Sequence, residues 1–328
     1  MKAVFIAEFG SIDNLELREV PEPPPPTGSG VLVRVRAAGL NRADLLQLEG
    51  LYPPPAGFAP EIPGLEFAGE IVEVGEHVRD LAAGDRVFAI TAGEAQAEYI
   101  SIDASLPTKI PESLSFTDAA AVPEVFITAH DAIFTLGNLR PRQTLLIHAV
   151  GSGVGLAALQ LAKQREAVVL GTSRTIEKLD RCKEFGLDAA ICTNAGMQFA
   201  SLVKEKTNGA GADVILDLVG AAFFEENLAS LAALGRLVLV GLTSGATASF
   251  DLRVALQKRA TITGTTLRGR SLAEKAEATR KFADEVVPLL ASGQIRANVD
   301  RVFPMTEAIS AYKYIESNQS FGKVVLTF

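Results

Sequence analysis

Three glycines, Gly151, Gly153 and Gly155, stand where an apolar run ends and an Ala- and Leu-rich stretch begins, and that placement could do chemistry. Residues 144–149 are apolar and β-branched enough for a buried parallel strand. Residues 156–164 read as a helix and 167–172 as a second strand, which closes a βαβ unit. A bare turn at a helix N-terminus offers unpaired N–H groups and the positive end of the helix dipole to a pyrophosphate. The spacing is G-x-G-x-G with Ser152 inside it, so the strand–turn–helix context has to carry the reading.

The end of the second strand says which dinucleotide. An NAD site places Asp or Glu about 20 residues beyond the turn to bind the ribose 2′-hydroxyl. This chain has Gly171, Thr172, Ser173 and Arg174 there, with Lys178 one helical turn on. Hydroxyls and cations suit a 2′-phosphate, and the nearest acids, Glu177 and Asp180, fall on the following helix. NADPH is favoured over NADH. The plainer alternative is that Arg174 and Lys178 only solvate a loop and a helix start.

The elements that must hold this site follow from composition and pattern. At 328 residues, 48% hydrophobic and 21% charged, the chain can bury two cores. A net charge of −8 argues against nucleic acid as a partner. No apolar run is expected to span a bilayer, and the N-terminus reads as a first strand, not a signal peptide. Cys182 and Cys192 show no metal-like spacing and fit a reducing cytoplasm.

The first third reads as all-β, with proline-rich loops at 21–30 and 52–60. From about Pro123 helices and strands alternate. Five strands at 144–149, 167–172, 189–193, 213–219 and 236–242 are expected to be parallel, with a sixth at 260–265. Helices are expected at 156–165, 175–186, 197–207 and 222–233. One amphipathic helix should run from 271 to a stop at Gly293, and another should start at Thr306 as N-cap. The closing GKVVLTF strand has no place in a completed parallel sheet, so it should return to the N-terminal β domain.

These stretches together resemble the zinc-independent medium-chain dehydrogenase/reductases of the quinone oxidoreductase type. The likeness rests on NRADLLQLEGLYPPP (41–55), PGLEFAGEIVEVG (63–75), GDRVFA (84–89), PEVFITAHDAIF (123–134), LLIHAVGSGVGLAALQLAK (145–163), DLVG (217–220) and FGKVVL. Asn-Arg-Ala-Asp before the triple proline is closest to the p53-inducible branch. The resemblance implies an α/β chain with a GroES-like β-rich catalytic domain (1–124 and 264–328) and a doubly wound parallel-sheet Rossmann domain (125–263). It also implies a cytoplasmic homodimer, paired through strand edges near 236–241 or 260–264.

Zinc-dependent relatives carry Cys at the Asn41 position and His at the Leu65 position, and only Glu66 remains here. No four-cysteine lobe is present, and His77, His130 and His148 are the only histidines, so no metal is expected. His148 should pack with one hydrogen bond. By resemblance, Gly151, Ser152, Gly153 and Val154 should cradle the pyrophosphate, and Ser173, Arg174 and Lys178 the 2′-phosphate. Thr193 replaces an adenosine-side Tyr. Gly241 and Leu242 should contact the nicotinamide end, with Asn41 and Thr128 flanking the ring. Asn318 stands where relatives have an Arg.

The implied reaction is hydride transfer from NADPH to a quinone or enone, with orientation and a dry cleft supplied by the protein. Tyr52 is the polar candidate near the acceptor, as substrate contact or proton donor; it could equally pack against prolines 53–55. Phe126 and Leu242 could line an acceptor pocket or belong to the core. Two other readings stay open: an enoyl or 2-alkenal reductase, in which Tyr52 must donate a proton, and a non-catalytic NADPH-binding protein.

Overall fold

The computed structural model describes residues 1–193 and 198–328. The chain divides into two units: residues 1–127 with 267–328, and residues 128–266. The junctions fall three residues beyond the expected ones at 124 and 263.

The second unit holds a six-stranded sheet, all parallel. Its spatial order is Ala189–Cys192, Val168–Ser173, Thr144–Ile147, Ala212–Asp217, Leu231–Leu239 and Thr261–Gly264. The strand order reverses beside Thr144–Ile147, which makes a topological switch point at the carboxyl ends of the strands. Leu145, Leu146, Ile147, Ile215 and Leu216 are fully buried, as continuous apolar strands covered on both faces must be.

The first unit is built on antiparallel pairing. Gly30–Leu40 pairs with Glu66–Val74, with Tyr99–Asp103 and with the closing strand Lys323–Thr327. Lys323–Thr327 also runs parallel to Val299–Pro304. The last strand therefore returns to the N-terminal sheet, as the sequence requires, and carries Lys323 beside Leu40 and Asn41.

Several elements depart from expectation. The helix read at 222–233 is Phe224–Ser230, and Leu231 already belongs to the next strand. That strand pairs Leu231 with Ala212, then jumps register, with Leu234 left-handed (φ 62°) before Gly235. Strand 236–242 ends at Leu239 and lies between two others, so among the described residues Thr261–Gly264 is the strand that presents an edge on that side. The helix read to Gly293 splits into Leu272–Glu285 and Val287–Ala291, because Pro288 has no N–H to continue the ladder. Ser271 and Glu274 cap its start reciprocally. Thr306 is no N-cap: it lies inside a 3₁₀ turn, and helix Ala308–Glu316 starts after Glu307. The helix read at 197–207 is Ala200–Lys206; its first expected residue lies outside the described residues.

One helical stretch, Phe116–Leu136, is long and apolar enough to cross a membrane by length and composition, which corrects the expectation that none is. Some 67% of its apolar window is buried inside the fold, and a core helix satisfies the same criterion.

Candidate functional site

In the second unit the glycine turn leaves strand Thr144–Ile147 and enters helix Gly153–Gln164. Ala149 takes a left-handed backbone (φ 49°), and Val150 N–H bonds Thr172 O (3.0 Å), tying the turn to the neighbouring strand end. Ser152 is the N-cap: its Oγ accepts from Gly155 N (3.1 Å). The first-turn N–H groups of Gly153 and Val154 have no intrahelical partner by helix geometry. A Cβ on Gly155 would stand 2.6 Å from Ala149 O and Val150 O, so only glycine lets the helix start this close to the turn.

Beside the turn, strand Val168–Ser173 ends on buried Ser173, followed by exposed Arg174 and half-buried Lys178. Glu177 and Asp180 lie on helix Ile176–Cys182, as read from the sequence. Across the switch point, Asp217 accepts from Val219 N (2.7 Å) and Gly220 N (2.9 Å), shaping the DLVG turn. Gly241 approaches that turn so closely that a Cβ would stand 2.7 Å from Leu218 O. Leu242 is exposed and Phe126 is buried core. Thr128 opens the second unit, half-buried in helix Pro123–His130.

His148 makes two hydrogen bonds where one was expected, and together they define its tautomer. Nε2 donates to Asn227 Oδ1 (2.5 Å), because a carbonyl oxygen only accepts, so Nδ1 accepts from the Thr172 hydroxyl (2.9 Å). Asn227 Nδ2 passes the chain on to Asp217 Oδ2 (2.9 Å). Burial pushes the imidazole down from its usual value, in keeping with this neutral form. The chain joins Thr172, one residue from Ser173, to the DLVG turn.

The first unit contains a buried polar cluster that sequence reasoning largely missed. Lys323 Nζ donates to Leu40 O (2.5 Å) and Asn41 Oδ1 (2.7 Å) and pairs with Glu66 Oε1 (2.6 Å). Asn41 Nδ2 donates to Glu66 Oε1 (2.9 Å) and Gly39 O (3.4 Å), and Glu66 Oε2 accepts from Glu124 N (2.9 Å). The Asn41 amide is thus held inside the unit. Asp44 Oδ2 accepts from Asn41 N (2.7 Å) and Gln96 Nε2 (3.4 Å), and Gln96 Oε1 accepts from the Tyr312 hydroxyl (2.9 Å). Burial pushes Asp44 up to about 6. Burial, and then neighbouring Glu66, push Glu124 up to about 8. Two cations, Lys323 and Arg268, thus balance the carboxylates of Glu66 and Asp44, and the third acid, Glu124, stays protonated at neutral pH.

Tyr52 is half-buried, and its hydroxyl bonds no other side chain among the described residues. Burial and then Glu124 push the phenol up, while Arg268 pulls it down. Asn318 is exposed and left-handed (φ 59°); its Oδ1 accepts from Arg42, so a cation does stand at the position that lacks the family's Arg.

A β-rich unit interrupted by a six-stranded parallel unit with a glycine turn at its switch point defines an oxidoreductase of the dehydrogenase class. Residues 28–125 match the family described as "Alcohol dehydrogenase GroES-like domain", and residues 153–285 that described as "Zinc-binding dehydrogenase". The chain belongs to the medium-chain dehydrogenase/reductase family, in its quinone oxidoreductase-like group. It is 30% identical to the synaptic vesicle membrane protein VAT-1 homolog of Mus musculus, over 99% of this chain and 83% of that one. It is 34% identical to quinone oxidoreductase-like protein 2 homolog of Nematostella vectensis, over 91% and 81%. The Escherichia coli quinone oxidoreductase complexed with NADPH superposes with TM-score 0.90 at 29% identity, covering 100% of both chains. The CurK enoyl reductase gives 0.88 at 26%, over 99% and 98%.

Proposed function

We propose that the chain is an NADPH-dependent quinone oxidoreductase that works without a metal ion. The observation that carries the cofactor reading is the end of strand Val168–Ser173: Ser173, Arg174 and Lys178 stand where an NAD site needs an acid. The residues fit such a ligand. The cradle at Gly155 has no room for a Cβ, the N–H groups of Gly153 and Val154 suit a pyrophosphate, and the Ser152 hydroxyl can still donate. When bound, the nicotinamide supplies the hydride. In this reading Asn41 flanks the ring, and Tyr52 offers its hydroxyl to the acceptor oxygen.

Zinc does not fit this chain. The positions of its ligands in relatives hold an amide, a Leu and a carboxylate, and Glu66 already accepts from Lys323, Asn41 and Glu124. An ammonium 2.6 Å from the one carboxylate repels a second cation. A quinone needs no Lewis acid, because its developing charge spreads over the ring. We further propose a homodimer joined through the free edge of Thr261–Gly264.

An acceptor panel tests the reaction. NADPH should be oxidised by 1,4-benzoquinone and 9,10-phenanthrenequinone. Tyr52→Phe should lower kcat/KM for quinones by about tenfold, the worth of one hydrogen bond. The CurK likeness supports a second reading, reduction of an enoyl thioester or 2-alkenal. There the same change removes the proton donor and costs roughly 100-fold or more. Tight NADPH binding with no turnover on any acceptor would instead mean a non-catalytic binding protein.

A further inference from the structure

Arg268 is 3% exposed, and among the described residues it forms no ion pair with any carboxylate. Its donors go to neutral acceptors: Nε to Ala92 O (2.8 Å), Nη1 to Tyr52 O (2.6 Å) and Nη2 to Gln47 Oε1 (2.5 Å). The guanidinium carbon stands 5.0 Å from the centroid of the Tyr52 ring. Burying a guanidinium with no carboxylate in direct contact is costly, with Asp44 and Glu124 acting on it only from beyond ion-pair distance.

What the guanidinium holds is the loop that begins with Tyr52. Pro53, Pro54 and Pro55 have no N–H, so the loop is poor in donors with which to fix itself. Arg268 takes its first carbonyl, and Gln47, bonded to Arg268, donates from Nε2 to Pro60 O (2.8 Å) at its far end. Glu94 Oε1 accepts from Ala59 N (2.7 Å). One buried fork thus sets both ends of the loop and the place of the ring.

We infer that Arg268 is a positioning residue for Tyr52, which it holds in place and for whose phenolate it keeps a counter-charge ready. The inference rests on the proposed role of Tyr52 at the acceptor. There the Tyr52 O–H bond breaks and an O–H bond forms on the acceptor oxygen, whose electrons come with the hydride. The phenolate keeps its electron pair beside the Arg268 cation until water returns the proton. Besides Glu94 on the loop, four charged or titratable groups bear on this phenol and its cation. Arg268 lowers the cost of the phenolate, Glu124 raises it, and Lys275, pushed down by burial, faces Glu124 and Arg268. Asp44 faces Arg268.

The test compares Arg268→Gln and Arg268→Lys with the parent in the full-length chain. The Tyr52 phenolate midpoint is read from near-ultraviolet absorbance against Tyr52→Phe, and KM is measured with 1,4-benzoquinone. Arg268→Gln should raise the midpoint by about one pH unit or more and raise KM roughly tenfold. Arg268→Lys should restore the midpoint but not KM, since one ammonium cannot hold three divergent acceptors; this arm carries the test if the Gln variant does not fold. An unmoved midpoint in folded Arg268→Gln, or a normal KM in Arg268→Lys, overturns the inference alone. A shifted midpoint with a kinetically silent Tyr52→Phe overturns the role of Tyr52 on which it rests.

Discussion

Replacing Lys323 by Met is expected to destabilise the first unit by about 3–5 kcal/mol, the usual cost of removing one partner of a buried ion pair. The Glu66 carboxylate is 0% exposed and would lose its ion-pair partner, while Asn41 Oδ1 and Leu40 O would lose a donor. The intact pair itself is worth little, because the desolvation of both charges offsets most of their attraction. The test is urea unfolding of Lys323→Met, Glu66→Gln and the double variant. The double variant should recover much of the loss, since neutral Gln needs no cation. Additive single losses would contradict a coupled pair.

Glu124→Gln is expected to remove most of the pH dependence of stability between about pH 5 and about pH 8. Glu124 ionises at about 8 in the folded chain, well above the ordinary value of 4.5. A raised carboxyl contributes stability that is fully present below the ordinary value and is lost as pH rises through the folded one. The parent should therefore lose stability between about pH 5 and about pH 8, with a smaller share from Asp44 ending near 6. The ceiling is about 1.4 kcal/mol per pH unit, discounted because Glu124 is only half-buried. Gln keeps the neutral shape and removes the slope, so the variant should be the more stable protein at alkaline pH and no better at acid pH. Urea midpoints across that range decide the matter; parallel curves for parent and variant would show that Glu124 is already ionised.

The parallel sheet and its glycine turn were legible because their signals are local: uninterrupted apolar strands, a run of glycines and an Ala-rich helix. The return of the last strand followed from topology alone. The boundary errors have local causes too. Leu231 reads as helix until register with Ala212 claims it, and Pro288 interrupts a helix whose amphipathic pattern continues past it. The polar cluster was illegible for a different reason. Glu124, Arg268 and Lys323 are scattered along the chain and, as charged residues, read as surface. Only the return of strand Lys323–Thr327 against Gly30–Leu40 brings the ammonium to Glu66. Tyr52 could be singled out in its stiff loop, but the guanidinium that fixes it lies 216 residues away.

Calorimetric titration of the purified chain with NADPH and with NADH tests the central claim most directly. Charge-assisted bonds from Arg174 and Lys178 to the extra phosphate should make NADPH bind at least about tenfold more tightly. Equal or stronger binding of NADH would contradict the account.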